Sequence, residues 1–117
     1  MSDFRKLKVW EKAHALALKT YKVTKAFPRE ETYGMTSQLR RAVVSIGSNL
    51  AEGAGRGTRK EFTYFLRVAL GSTQEIQYQL LLARDLGWIS SADYEPLESS
   101  AREVRAMLDA LRRSLDR

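Results

Sequence analysis

The chain of 117 residues contains no cysteine, which excludes a disulfide frame, a thiol nucleophile and a thiolate zinc site. Its one histidine is His14, and no serine or carboxylate is spaced to complete a catalytic triad with it. Di-iron bundles use two Glu-x-x-His pairs with further carboxylates, and the single pair Glu11 and His14 is too few ligands for a metal cage. Catalytic residues, metal and cofactor are therefore all expected to be none, and the chain is read as no enzyme. No apolar run approaches the ~20 residues that span a bilayer. The segment Met1 to Trp10 is charged and lacks the apolar centre of a signal peptide. The expected address is cytoplasmic, with no membrane partner. Alternation with period two is absent, so no strand is expected.

What the chain does have is an ordinary globular balance, with 44% apolar and 29% charged residues. That suits one domain, placed at 4–117. Apolar residues recur at alternating steps of four and three in four segments. The first is Val9, Ala13, Leu16, Thr20, Val23 and Phe27, in which Thr20 is the polar exception. The second is Leu39, Val43, Ile46 and Leu50. The third is Phe62, Leu66, Ala69, Thr73, Ile76, Leu80 and Ala83, and the fourth is Leu97, Ala101, Val104, Leu108, Leu111 and Leu115. A repeat of ~3.5 residues keeps one stripe of each helix facing its neighbours. Helices are expected over about 8–26, 35–52, 59–86 and 91–115. The short links make this all-α chain an antiparallel up-down-up-down four-helix bundle.

Local signals set those boundaries. Pro28 should end the first helix, and the run Gly53-Ala54-Gly55-Arg56-Gly57 should separate the second from the third. Thr58 with Glu61 and Ser90 with Asp93 have capping-box spacing, Ile89 and Tyr94 could staple the latter, and Gly87 suits a left-handed stop. Pro96 is either tolerated in the early turns of the fourth helix or marks a restart. Two helices carry apolar residues beyond one stripe: Trp10, Ala17 and Tyr21 in the first, and Phe65, Val68 and Leu70 in the third. These either thicken the core or meet another subunit.

Net charge is +6 and is unevenly spread. Residues 1–30 carry eight Lys/Arg against three acids, whereas residues 89–117 carry five against six. A basic half favours a polyanionic partner, although solubility alone also accounts for it. Lys8, Lys12, Lys19 and Lys22 fall within about 80° on a helical wheel. They form either a stripe that can follow phosphates or a plain solvated face. Gly53, Gly55 and Gly57 resemble a phosphate loop in composition only, because no strand precedes them. Arg56, Arg59 and Lys60 nevertheless surround the start of the third helix, where free N–H groups attract anions. Arg41 is placed to pair with Glu75, which turns Arg40 elsewhere and makes it a candidate ligand contact.

Taken in order, a series of short motifs resembles a known family. It begins at Leu7-Lys8-Val9-Trp10-Glu11-Lys12-Ala13 and passes through Phe27-Pro28 and Tyr33-Gly34. It is densest in Ser37-Gln38-Leu39-Arg40-Arg41-Ala42-Val43-Val44-Ser45-Ile46 and Ser48-Asn49-Leu50-Ala51-Glu52-Gly53. It continues to Leu86-Gly87-Trp88-Ile89. The chain is similar to the bacterial four-helix-bundle proteins encoded within intervening sequences of 23S ribosomal RNA genes. Gly47 departs from that family, where proline is common, and makes a kink in the second helix less expected. The resemblance implies a four-helix bundle and a homopentameric ring with a central channel. It carries nucleic-acid binding only as a conjecture.

The expectation from residues and resemblance together is a non-catalytic, homo-oligomeric nucleic-acid-binding protein that contacts RNA or DNA backbone. Lys8, Lys12, Lys19, Lys22, Arg40, Arg56, Arg59 and Lys60 are the candidate contacts. The alternative is a scaffold ring that holds a partner protein without touching nucleic acid. An anion- or nucleotide-processing enzyme using Gly53 to Lys60 is a third reading, without specific support.

Overall fold

Four helices pack side by side: α1 (Lys8–Thr24), α2 (Met35–Arg56), α3 (Arg59–Asp85) and α4 (Ser91–Leu115). The computed structural model describes residues 3–116. Met1 and Ser2, at the head of the charged N-terminal segment, and Arg117, at the end of the expected domain, lie outside the described residues. Each helix touches its sequence neighbour, and α1 closes the square against α4. Short 3-10 turns precede α1 (Phe4–Lys6) and α2 (Arg29–Glu31).

The four seams form the interior. Leu39, Val43, Ile46 and Leu50 are buried on α2, as are all seven seam residues of α3. On α4, Leu97, Ala101, Val104 and Leu108 are buried, while Leu111 and Leu115 pack at the edge of the core. The polar seam members satisfy themselves within their own helices. Thr20 Oγ1 donates to the Leu16 carbonyl at 2.8 Å and Thr73 Oγ1 to the Leu70 carbonyl at 2.6 Å. A hydroxyl bonded in this way can enter an apolar seam without an unmet hydrogen bond.

Helix ends follow local chemistry. α1 stops at Thr24, two residues before the expected end, because Phe27 precedes Pro28 and is pushed out of helical geometry. Phe27 still enters the core, beside Trp88 at 5.8 Å between ring centroids. α3 ends in a Schellman turn. Trp88 N–H donates to the Ala83 carbonyl, Gly87 N–H donates to that of Arg84, and Gly87 has φ 79°. Ser90 Oγ accepts the Asp93 N–H at 3.1 Å, and Ile89 and Tyr94 lie buried in the same cluster. Pro96 is tolerated, since α4 runs through it without interruption. At the start of α3, Thr58 Oγ1 accepts the Glu61 N–H and donates to the Glu61 carboxylate at 2.8 Å.

The expected glycine connector is corrected. α2 runs on through Gly53, Ala54 and Gly55 to Arg56, and only Gly57 (φ 87°) and Thr58 join it to α3. Gly53 serves closeness and not flexibility. A Cβ there would sit 2.8 Å from Phe62 Cδ1 and 3.0 Å from Phe65 Cβ, so its absence lets α3 start tightly against α2. Gly55 has nothing within 4 Å of that position. Substitution by alanine should therefore act in opposite directions two residues apart. Gly55→Ala should add up to ~1 kcal/mol from helix propensity, whereas Gly53→Ala should cost about 1–3 kcal/mol by overpacking. Paired denaturant titrations check this, and a stabilised Gly53→Ala would refute the packing argument.

α2 also runs unbroken through Gly47, beside the indole of Trp10. The expected pairing of Arg41 with Glu75 is not formed. Both line an open cleft between α2 and α3, and Gln79 donates to the Glu75 carboxylate at 3.2 Å instead.

Candidate nucleic-acid interface

α1 presents its lysines outward. Its buried stripe of Val9, Ala13, Leu16, Thr20 and Thr24 faces the bundle, which leaves Lys8, Lys12, Lys19 and Lys22 exposed on a flank about 120° around the helix. From Lys8 to Lys22 the row runs about 21 Å at the helical rise. Lys12 Nζ lies 3.6 Å from Glu103 of α4, and both side chains are half exposed. Among the described residues, no ion pair engages Lys8, Lys19 or Lys22. An exposed pair such as Lys12–Glu103 holds weakly and yields to a competing polyanion.

Arg40, an expected ligand contact, is engaged within the bundle. Its Nε donates to Thr24 Oγ1 at 2.9 Å, its Nη2 to the Tyr21 carbonyl at 3.2 Å, and the guanidinium lies over the Tyr21 ring at 4.6 Å. Thr24 in turn donates to the Thr20 carbonyl at 2.8 Å, so Arg40 ties α2 to the last turn of α1. Arg40→Ala should lower the melting temperature by about 4–8 °C, equivalent to ~1–2 kcal/mol. The salt slope of nucleic-acid binding should not change. Thermal melts beside salt-titrated binding separate the two effects, and a flattened slope with an unchanged melt would restore the ligand reading.

The remaining candidates gather at one end. α1 starts where α2 ends, so Arg56, Arg59 and Lys60 lie at the same end of the bundle as Lys8. Arg56 is bound internally: it pairs with Glu52 at 2.8 Å, nears Glu61 at 4.0 Å, and stacks on Phe65 at 5.4 Å. Arg59 and Lys60 are exposed. With Gly53 to Arg56 helical, the two-residue joint leaves no loop to wrap a phosphate group.

One cationic feature escaped the sequence reading. Arg102, Arg105 and Arg112 of α4 border a cavity of about 440 Å³ against Leu70 and Gln74 of α3. The acids there offset them. Arg102 pairs with Glu98 at 2.8 Å, and Arg105 bonds Gln77 Oε1 at 3.2 Å. Asp109 bonds both Arg112 and Arg113. The hydrogen bond from Arg112 holds the Asp109 carboxyl below its ordinary range, and the nearby Arg113 charge adds to this. A net charge near zero over residues 89–117 concealed this row, although its i, i+3, i+10 spacing puts all three on one helical face.

His14 stacks on Trp10 at 4.9 Å and is solvent-exposed. Among the described residues, no group of three or more His, Asp or Glu could hold a metal ion. No helix there is long and apolar enough to cross a membrane.

Comparison with known proteins agrees with this architecture. The crystal structure of a protein of unknown function from the S23 ribosomal protein family of Bacteroides thetaiotaomicron VPI-5482 superposes with a TM-score of 0.83 at 25% identity. The match covers 90% of this chain and 95% of that one. No curated protein matches. The profile of the 23S rRNA-intervening sequence protein family matches residues 5–110. The match covers the first three helices and most of the fourth, and the chain belongs to the 23S rRNA-intervening sequence protein family.

Proposed function

We propose that the chain is a non-catalytic, homo-oligomeric protein of the cytoplasm that binds RNA or DNA through the phosphate backbone. The observation that carries this reading is the exposed lysine row of α1, about 21 Å long, in which, among the described residues, only Lys12 has an acidic partner. Lys8, Lys12, Lys19 and Lys22 are the primary contacts, with Arg59 and Lys60 extending the basic surface at the end of the bundle. Charge of this kind reads backbone and shape and leaves base identity largely unread.

The test is direct titration of the purified protein against a labelled RNA hairpin, a DNA duplex and a single strand at low salt. Binding to at least one, weakening with added salt, is the expected result. Absence of binding to all three removes the proposal. A specific protein that copurifies and binds regardless of the α1 lysines would favour the scaffold reading instead.

A further inference from the structure

One side chain projects into solvent where nothing in its own chain needs it. Tyr33, in the link between α1 and α2, is 96% exposed. The link that carries it is well braced. Glu31 N–H bonds the Pro28 carbonyl, Thr32 N–H that of Arg29, and Gly34 N–H that of Glu31. The Glu31 carboxylate accepts the Met35 N–H at 3.0 Å, and Thr32 Oγ1 donates to the Arg29 carbonyl at 2.7 Å. The tyrosine is thus held out on an ordered turn, so docking it costs little conformational entropy.

The same molecule has a groove of matching chemistry. Between α1 and α2 lies an open depression of about 440 Å³. It is lined by residues that include Trp10, Leu18 and Tyr21 of α1 and Val44, Gly47 and Ala51 of α2. Leu18 is 61% exposed and Val44 44% exposed. Val44 lies nine residues, about 13 Å, along α2 from its start, so Tyr33 cannot reach its own groove.

Charge sets the polarity of the contact. Glu30, three residues before the tyrosine in the same link, and Arg41, in the cleft that shares Tyr21 and Val44 with the groove, are both exposed. Neither has an ion pair among the described residues. Lys22 and Lys25 follow Leu18 and Tyr21 on the outer flank of α1 and are exposed as well.

We propose that Tyr33 of one copy inserts into the α1–α2 groove of a second copy, with Glu30 meeting Arg41 across the contact. This rests on the oligomeric part of the proposed function and names the surfaces that make the oligomer. Knob and groove are different surfaces of one chain, so two copies either exchange them reciprocally in a two-fold dimer or join head to tail. Head-to-tail repetition closes a ring or continues as a filament. A tyrosine buried at the centre of such a contact would be an anchor.

Light scattering of the full chain over a dilution series tests it. Tyr33→Ala, at a side chain 96% exposed, should self-associate at least ~30-fold more weakly and melt like wild type at dilutions where both are monomeric. Val44→Glu should do the same by blocking the groove. Mixing Tyr33→Ala with Val44→Glu should give a 1:1 complex of twice the chain mass, because one intact knob then meets one intact groove. Arg41→Glu should weaken assembly and Arg41→Glu with Glu30→Arg should restore it. A Tyr33→Ala oligomer with wild-type mass at every dilution would overturn the proposal while leaving the oligomeric reading standing. A monomeric wild-type chain would overturn both. Loss of nucleic-acid binding by Tyr33→Ala with assembly intact would assign the ring to base stacking and overturn it as well.

Discussion

Phe62→Ala is expected to lower stability by about 3–5 kcal/mol, the range for emptying a buried aromatic site. For a chain of this length the melting temperature should fall by roughly 12–20 °C. Phe62 is fully buried and stands in the first turn of α3, directly over Gly53 of α2. The two residues fit as one joint, with the ring occupying space that the missing Cβ leaves open. Removing the ring leaves a cavity where α3 packs directly on Gly53 of α2, and helical backbones on both sides limit collapse into it. Guanidinium titration should show a lower midpoint with an unchanged slope. A loss below ~1 kcal/mol would mean that the joint relaxes freely and that Gly53 has some other purpose.

The second large effect concerns the α1 lysines. Converting Lys8, Lys12, Lys19 and Lys22 together to alanine should weaken nucleic-acid binding by at least ~10²-fold near 50 mM salt. The log–log salt slope should become shallower by about 3–4, since each phosphate contact contributes ~0.7–0.9. Stability should move little, because the four side chains are exposed and the one ion pair, with Glu103, is of a kind worth ~0–1 kcal/mol. Alanine also favours helix slightly more than lysine does. Anisotropy titrations at several salt concentrations measure both affinity and slope. An unchanged slope would place the binding surface elsewhere, with the arginine-bordered cavity between α3 and α4 the next surface to alter.

The helices were legible because burial leaves a periodic trace in the chain. Every seam residue of α2 and α3 proved buried, and the Ser90 and Gly87 signals marked real helix ends. Glycine was the weak letter of this alphabet. Gly53, Gly55 and Gly57 look alike in the chain, yet one admits a neighbouring ring, one faces open space and only Gly57 turns left-handed. Which role a glycine takes depends on the partner helix, and that is not written locally. Side-chain pairing was hidden for the same reason. Arg40 and Arg41 differ by 100° of rotation, but only the packed bundle shows that Tyr21 and Thr24 await Arg40. The exposed Tyr33 was likewise invisible, because a tyrosine in a short link reads equally well as packed or free. The lysine row, by contrast, needed only the helical wheel, since an exposed face is defined by what the buried stripe leaves over.

The most direct measurement is purification without nuclease, with absorbance at 260 nm and light scattering recorded on the same eluted peak. A peak several times the chain mass that carries 260 nm absorbance, and sheds it in high salt while keeping its protein mass, is the predicted result. A monomeric peak free of nucleic acid at low salt would contradict it.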